Sequence, residues 1–321
     1  MMSGIPPKAM TLRRNQGFVL ICVLWVLAIL TVISVSMRQR ALLDVRAATY
    51  SLDHTKAMLL ARGAARRGMV EICNRAVVNW YNGEEGGTGL GQAWAHPVDM
   101  FSAGIYFAPG DMRNFDEDKC FYVIEDEERR VSINATDEMV LTNVRGLRHS
   151  DVRKIIRRRT VGLDDEKKPV RFLTTEELRY MFKDITEEDW FGKDEKPGLR
   201  NLLTCWGSGK ININTASREI LECVPDVSSG TINDILSYRA GFDGLIGTAD
   251  DQAFADFKEL GDKMKVSQSA LDSLRRYCTT NSSCFTITGV ATLRQGRIRA
   301  HCRAVVSGLS VIQWREEPIG S

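Results

Sequence analysis

One uncharged apolar segment near the start of the chain constrains the fold more than any other feature. Phe18 to Ser36 reads FVLICVLWVLAILTVISVS, nineteen residues without a charged side chain. About 20 apolar residues in an α-helix span the hydrocarbon core of a bilayer. No later segment is comparable. The sequence therefore predicts a single membrane-spanning helix.

The residues before this segment predict its orientation. They include Lys8, Arg13 and Arg14 and no acidic residue, so the N-terminus is expected in the cytoplasm and the rest of the chain outside. A signal peptide fits poorly, because MRQRALLDVR follows Ser36 where a small-residue cleavage site would stand. A plain signal anchor fits better. The third interpretation is a leader that is cut on the cytoplasmic side, between Gly17 and Phe18.

The helical pattern continues past the membrane segment. Residues spaced alternately three and four apart form one helix face, which comprises Leu42, Val45, Thr49, Leu52, Lys56, Leu59, Gly63, Arg66, Val70, Cys73, Val77 and Trp80. No proline lies between Phe18 and Trp80, so a helix of about 60 residues is permitted. The alternative is a membrane anchor followed by a separate helix.

The remaining segments predict an α+β fold. Runs beginning at Gly104, Cys120 and Arg129 have strand character, and the latter two are predicted to form a hairpin about Glu127 and Glu128. Helical patterns dominate from about Asp137 to Tyr277, and three alternating segments at the end predict an antiparallel meander. Strands thus flank a helical block, which predicts a small antiparallel sheet interrupted by an all-helical domain.

Catalytic motifs are absent from the sequence. The four histidines are scattered, and no HExxH, GxSxG or Walker A pattern occurs. The 43 basic residues nearly balance the 41 acidic ones, so the chain as a whole predicts no polyanion-binding field. We therefore expect a protein that is not an enzyme and requires no cofactor.

Seven of the eight cysteines follow the apolar segment, and Cys22 lies within it. In an oxidising compartment at least one of the seven stays unpaired within the chain, because seven is odd. Cys278 and Cys284, separated by TTNSS, are the predicted disulfide pair. The alternative is that both are buried as small apolar residues.

An acidic, glycine-containing stretch lies between Phe242 and Phe257. Asp243, Asp250 and Asp251 are the predicted calcium ligands there, because hard cations take several oxygen ligands from a flexible loop. The stretch lacks the ligand alternation and terminal Glu of an EF-hand. The alternative is a solvated acidic loop.

Two further segments resemble nucleic-acid or lipid contacts. Residues 211–239 have the pattern of a helix-hairpin-helix unit, although Asp226 stands where a glycine is usual and further acids crowd the region. Arg153 to Arg159 form a basic cluster, for which a solvated helix face is the alternative. Binding to nucleic acid is therefore not expected.

Several of these motifs combine into a known pattern. The Gly17/Phe18 junction, LWVLAILTVIS, KININTASREIL, DGLIGTADD and the closing TTNSSCFTITG, AVV and WRE segments together resemble the K-type minor pseudopilins of type II secretion systems (general secretion pathway protein K). The resemblance covers nearly the whole chain. It implies a pilin-like domain on a long N-terminal helix, interrupted by a large helical domain.

The resemblance also implies processing, partners and location. A prepilin peptidase would cut after Gly17 and methylate Phe18, and the other minor pseudopilins, the major pseudopilin and an inner-membrane assembly platform would be partners, with contact to secreted substrates also expected. Fibre-body pilins carry Glu at the fifth mature position, where this chain has Cys22. The K-type subunits at the fibre tip also lack this glutamate. The chain is expected to cross the bacterial inner membrane once, with its bulk in the periplasm.

The resemblance and the residue pattern together predict six segments. These are a leader (1–17), a transmembrane helix (18–36), its periplasmic extension (37–81), the first part of the pilin-like domain (82–136), a helical insertion (137–280) and closing strands (281–321). The predicted assembly face of the helix consists of Leu42, Val45, Leu52, Leu59, Val70 and Val77. Two rival functions stay open, a minor pilin of a type IV pilus or competence system and a membrane-anchored DNA-binding module.

Overall fold

The computed structural model of the chain describes residues 16–82, 86–97, 100–101, 118–162 and 168–319. The chain divides into two units, Met1–Thr55 and Lys56–Ser321. The first described element is helix α1 (Gln16–Asn82), whose N-terminal part belongs to the first unit. The second unit contains the rest of α1 and every other described element.

Helices and strands follow α1 in the order strand, helical block, strands. The helices are α2 (Glu138–Thr142), α3 (His149–Thr160), α4 (Glu177–Met181), α5 (Glu187–Phe191), α6 (Leu199–Leu202), α7 (Arg218–Leu221), α8 (Ser229–Arg239), α9 (Phe257–Lys263) and α10 (Gln268–Tyr277). The strands are β1 (Lys119–Asp126), β2 (Val131–Ser132), β3 (Gly192–Lys193), β4 (Lys196–Pro197), β5 (Leu203–Thr204), β6 (Ile211–Asn212), β7 (Cys278–Thr279), β8 (Cys284–Leu293), β9 (Ile298–Ser307) and β10 (Ser310–Ile319).

The predicted α+β fold class is confirmed, but the insertion is not all-helical, because the short strands β3 to β7 lie within it. Strands β1, β8, β9 and β10 form one antiparallel sheet in that spatial order, so the sheet is completed only after the chain has passed through the helical block. The predicted meander corresponds to β8, β9 and β10. The predicted long helix is also confirmed, since α1 is continuous over 67 residues and the alternative of two separate helices is excluded.

Two expectations about the first strands are not confirmed. The hairpin about Glu127 and Glu128 is wrong, because Glu127–Arg129 forms a 3₁₀ helix and β2 pairs in parallel with β5 rather than with β1. The strand predicted from Gly104 to Pro109 lies outside the described residues. The boundaries of the six predicted segments stay a prediction.

Small side chains let α1 approach the sheet closely. Ala57, Ala61, Ala64, Ala65 and Ile72 are buried in a core shared with the inner face of the sheet. A Cβ atom added to Gly289 on β8 would lie 2.1 Å from the carbonyl oxygen of Ala61. The contact between helix and strand therefore depends on the absence of a side chain at position 289.

An ion pair at the edge of the sheet supports the same contact. Arg62 donates from Nε and Nη2 to the two carboxylate oxygens of Glu316 on β10, at 2.7 and 2.6 Å. A bidentate pair of this kind restricts orientation as well as distance. The helix is thus held to β8 by packing and to β10 by hydrogen bonds.

The helical block consists of two tandem repeats. The first helical repeat, 131–204, begins at β2 and ends at its parallel partner β5, and the second helical repeat, 211–279, begins at β6 and ends at its parallel partner β7. Each repeat contains a short helix followed by a longer one, α2 and α3 or α7 and α8. The apolar residues of both repeats merge into one core, distinct from the core under the sheet.

A buried or half-buried asparagine closes each repeat in the same way. Asn134 donates from Nδ2 to the carbonyl oxygens of Phe172 and Cys205, both at 2.8 Å, and its Oδ1 accepts from the backbone N–H of Phe172 at 2.8 Å. The same three bonds recur in the second repeat at 2.9, 3.0 and 2.8 Å. The residues there are Asn214, Phe254 and Thr280. The two repeats therefore share one internal design.

The turn between the paired helices requires the left-handed backbone region in both repeats. Gly146 has φ +87° in the first repeat, and Asp226 has φ +59° at the corresponding position of the second. Glycine adopts this region without a steric penalty, and Asp is among the residues that tolerate it. This explains why Asp226 can replace the glycine that the sequence pattern led us to expect.

We expect Gly289→Ala to lower the free energy of unfolding by about 2 kcal/mol or more, because the new methyl group overpacks the contact with Ala61. Denaturant unfolding of the full chain in detergent, followed by tryptophan fluorescence, measures this. The control is Gly230→Ala, because Gly230 is exposed within α8 and its added Cβ meets only Ser228 Oγ at 3.7 Å. That variant should gain about 0.5 kcal/mol. Equal stability of the two variants would contradict the proposed contact.

Candidate functional site

The N-terminal part of α1 exposes a continuous apolar surface. Every residue from Phe18 to Leu52 is exposed. The hydroxyl groups of Thr31 and Ser36 donate to the carbonyl oxygens of Ala28 and Ile33, both at 2.8 Å, so the helix satisfies these polar groups internally. Among the described residues, one helix is long and apolar enough to cross a membrane, and it is α1.

The predicted processing junction lies at the start of α1. The helix begins at Gln16, so Gly17 and Phe18 are both helical in the unprocessed chain, and the side chain of Phe18 is 70% exposed. Cys22, which is the fifth residue counted from Phe18, is also exposed. Cleavage between Gly17 and Phe18 stays a prediction.

The predicted assembly face is not used by the chain's own core. Leu42, Val45, Leu52, Leu59 and Val70 are between 47% and 71% exposed. The side chain of Val77, the sixth predicted residue, lies outside the described part of the chain. From Lys56 onward the alanine-rich face of α1 is buried, and Leu59 and Val70 lie on the exposed face. Contact of this face with other subunits stays a prediction.

Three consecutive carboxylates at the end of β1 form a buried cluster that sequence reasoning missed. Asp126, Glu127 and Glu128 are 1%, 1% and 2% exposed. A buried carboxylate is strongly destabilising unless hydrogen-bond donors surround it. We call these three residues the carboxylate junction, because their donors come from the sheet and from both helical repeats.

Asp126 binds the second repeat. Its Oδ2 accepts from Asn212 Nδ2 at 3.0 Å and from the hydroxyl groups of Thr215 and Ser282 at 2.6 Å each, and its Oδ1 accepts from the backbone N–H of Glu128 at 2.8 Å. Burial raises the pKa of Asp126 to about 6, and the bonds from Ser282 and Thr215 oppose this shift. Desolvation therefore outweighs the hydrogen bonds at this carboxyl group.

Glu127 links the first repeat to the sheet. Its two carboxylate oxygens accept from the hydroxyl groups of Thr204 on β5 and Thr286 on β8. The guanidinium of Arg130 lies 3.7 Å from Oε1 of Glu127. The third carboxylate, on Glu128, accepts from the backbone N–H groups of Ser208, between the two repeats, and Ser283, before β8, at 2.9 and 3.2 Å.

The acidic loop after α8 is closed by its own carboxylates. Oδ2 of Asp250 accepts from the backbone N–H groups of Phe242 and Asp243 at 2.8 and 3.1 Å, and its Oδ1 accepts from the Thr248 hydroxyl at 2.6 Å. The bond from Thr248, followed by the two backbone bonds, lowers the pKa of Asp250 to about 2. Asp251 accepts from Gly247 N–H at 2.8 Å.

This arrangement does not fit the predicted calcium site. The oxygens of Asp243, Asp250 and Asp251 are directed to N–H and O–H donors of the loop, whereas a calcium ion needs several oxygens directed to one point. Within the described ranges no group of three or more His, Cys, Asp or Glu residues could hold a metal ion.

The predicted disulfide between Cys278 and Cys284 is not formed in the structure. Both residues are free thiols. Cys278 pairs with Ile211 in the short parallel sheet of the second repeat, and Cys284 pairs with Ser307 in the main sheet. Burial raises the pKa of each thiol to about 12. The structure instead agrees with the alternative drawn from the sequence, in which both cysteines are buried as small apolar residues.

The basic cluster on α3 is largely occupied within the first repeat. Arg158 pairs with Glu177 and lies 4.2 Å from the ring centre of Phe172. Arg159 donates to the carbonyl oxygens of Ile133 and Thr136 at 3.1 and 2.6 Å. These two arginines hold the repeat together, so the cluster offers fewer free cations than its sequence indicates.

Comparisons with known proteins give a structural similarity. No protein-family model matches the chain, and no curated protein matches it. The chain is similar to a chain of the crystal structure of the GspK-GspI-GspJ complex from the enterotoxigenic Escherichia coli type 2 secretion system. The identity is 12% and the TM-score 0.49, over 85% of this chain and 100% of that one.

We expect Asp126→Ala to lower the free energy of unfolding by about 3 kcal/mol, because it leaves a cavity and removes the acceptor of the Thr215 and Ser282 hydroxyl groups. The pH dependence gives a second readout. The native pKa of about 6 exceeds the ordinary value of 3.8, so this group favours the native state increasingly as the pH falls through 6.

Denaturant unfolding at pH 7.5 and pH 5 measures that dependence. Wild type should gain about 1 kcal/mol relative to Asp126→Asn on acidification, because the variant has no proton to bind at this position. The exposed Asp262→Asn is the matched control and should gain as much as wild type does, because it retains Asp126. A pH response that is the same in wild type and in Asp126→Asn would show that the pKa of Asp126 is not raised.

Proposed function

We propose that this chain is a minor pseudopilin that helps to nucleate or cap the pseudopilus of a type II secretion system, for export of folded proteins across the outer membrane. The observation that carries the proposal is helix α1. Every residue from Phe18 to Leu52 is exposed and the first nineteen are uncharged, whereas from Ala57 onward the alanine-rich face of the same helix packs against the sheet. A membrane anchor alone would need only the first of these features.

The proposed mechanism is assembly through the exposed face of α1. Helices that lie side by side in a membrane or fibre core associate by close packing, and Leu42, Val45, Leu52 and Leu59 are available for such packing. The other minor pseudopilins and the major pseudopilin are the proposed partners. An inner-membrane platform and a prepilin peptidase would act on the chain, and no catalytic site is part of the proposal.

Two further features support a position at the fibre tip. Cys22 replaces the glutamate that pairs with a neighbouring N-terminus in fibre-body pilins, so the chain cannot make that pair. The two helical repeats add a bulky block, 131–279, to the sheet domain, which suits a terminal subunit better than a repeating one. The chain would cross the inner membrane once, with its N-terminus in the cytoplasm and residues after about 36 in the periplasm.

The rival of a minor pilin in a type IV pilus or competence system shares the same processing. The two functions differ in the process that stops when the chain is deleted. Protein export would stop for a minor pseudopilin, and piliation would stop for a minor pilin. The rival of a DNA-binding module depends on the turn at Asp226. An acidic side chain there, with Glu219 and Glu222 nearby, opposes phosphate binding.

The first test is the mature N-terminus. We expect mass spectrometry of the membrane-extracted protein to find N-methylated Phe18 as the first residue, because the proposed peptidase cuts after Gly17. Gly17→Asp should keep the leader, as should wild type in cells that lack the peptidase. An uncut wild-type chain in cells with an active peptidase would contradict the proposal and leave a plain membrane anchor.

The second test addresses assembly. Leu52→Lys should reduce co-purification with co-expressed minor pseudopilins of the same system by about tenfold or more, because it places a charge in an apolar helix contact. Tyr50→Lys is the matched control, since Tyr50 is also exposed and lies about 200° away around the helix. Equal recovery of partners by both variants would exclude Leu52 from the assembly face.

A further inference from the structure

A cleft of about 320 Å³ lies between the first helical repeat and the sheet. One wall comes from the first repeat, including Thr174 and Arg200, and the other from β9 and β10. The proposed assembly role does not use this cleft, because none of its lining residues belongs to α1. Its lining is predominantly polar, so it is not an unfilled part of the apolar core.

Four arginines line the cleft. Arg200 belongs to α6, Arg303 to β9, Arg315 to β10, and Arg130 follows the 3₁₀ helix after β1. The guanidinium groups therefore come from both walls. Arginine presents a planar set of N–H donors that matches the two oxygens of a carboxylate.

Two of these arginines are direct neighbours with like charge. Arg303 and Arg315 are paired in register across β9 and β10. Like charges that face each other on adjacent strands destabilise the sheet. The next residue on β10, Glu316, points to the opposite face of the sheet and pairs with Arg62, so it does not neutralise them. An anion bound between Arg303 and Arg315 would remove the repulsion.

The cleft does not supply that anion itself. Within the described part of the chain, Arg200, Arg303 and Arg315 have no carboxylate at ion-pair distance. Arg200 lies over the ring of Phe191 at 5.8 Å, and the neutral amide oxygen of Gln313, suitably oriented, accepts from Arg315 at 2.9 and 3.0 Å. These neighbours position the guanidinium groups and leave their charge uncompensated.

The glutamates of the cleft are otherwise engaged or lie apart. Glu127 accepts from Thr204 and Thr286 in the carboxylate junction. Glu176 accepts from the Thr175 hydroxyl at 3.4 Å, and Glu317 faces His301 across the strands. Arg130 has a buried Nε–H without an acceptor, although its outer nitrogens lie near Glu125 and Glu127. The cleft thus contains three exposed arginines without an ion-pair partner among the residues that the structure describes, although Glu176 and Glu317 also line it.

We propose that this cleft binds an extended acidic segment of a partner protein, whose carboxylates pair with Arg200, Arg303 and Arg315. A segment fits better than one small anion, because the arginines come from two walls and the cleft is larger than a single carboxylate needs. Strand β10 is also the last strand of the sheet, and among the described residues no strand pairs with its outer edge, so an extended chain can pair there. Alternate residues of such a chain would point into the cleft.

The test is isothermal titration of the full-length chain in uncharged detergent with a capped hexapeptide of alternating glutamate and threonine. We expect saturable binding that weakens as salt is raised, and no binding of the same peptide with glutamine in place of glutamate. The double variant Arg303→Gln and Arg315→Gln should bind about tenfold more weakly or worse. Its melting temperature should not fall, because the substitution removes a like-charge contact.

The matched control is the double variant Arg153→Gln and Arg157→Gln, which removes the same charge from exposed positions on α3 and should bind as wild type does. If the first double variant fails to fold, Arg200→Gln on the opposite wall tests the same site. Binding that is lost equally in the α3 control would overturn the proposal, as would absence of peptide binding. Saturable binding of inorganic phosphate with equal affinity would also overturn it, in favour of a small-anion site.

Discussion

The second unit depends on the buried carboxylates at the end of β1. Asp126, Glu127 and Glu128 lose their hydration when the sheet meets the helical block, and only a complete set of donors makes that burial tolerable. The donors are contributed by the second repeat, the first repeat and the segments on either side of them. A shift of either repeat would leave a buried charge unpaired. The junction therefore specifies the position of the repeats more narrowly than apolar packing alone would.

The same logic explains how a long insertion leaves the sheet intact. The chain leaves the sheet at the end of β1 and returns at the start of β8, and these ends are adjacent, since Asp126 pairs with Phe285 in the antiparallel register. Each repeat also begins and ends at the same place, because β2 pairs with β5 and β6 with β7. The two ends of the helical block therefore lie next to each other beside the sheet, and the carboxylate junction lies at the same place.

Periodicity in the sequence was sufficient for the long helix, the closing strands and the fold class, because each depends on a local pattern. The hairpin about Glu127 and Glu128 was wrong because local strand character does not reveal that β2 pairs with β5, some seventy positions later. The disulfide between Cys278 and Cys284 was suggested by short spacing, but the two residues belong to different sheets. A signal for the repeats was present, since Ile-Asn recurs at Ile133–Asn134 and Ile213–Asn214. The only sequence signal for the carboxylate junction was a run of acidic residues after a predicted strand. Such a run usually indicates a solvated turn.

The two faces of α1 show why folding and the proposed assembly would depend on different residues. The buried face is rich in alanine and includes Gly68, so it gains little from apolar area and depends on close approach to the sheet at Gly289. The larger residues, such as Leu59 and Val70, lie on the exposed face. A helix that needed those residues for its own core would turn them inward. Their exposure on a helix already held to the sheet means that a partner could bury them without rearranging the fold, and this separation is the physical reason for proposing the exposed face as the assembly face.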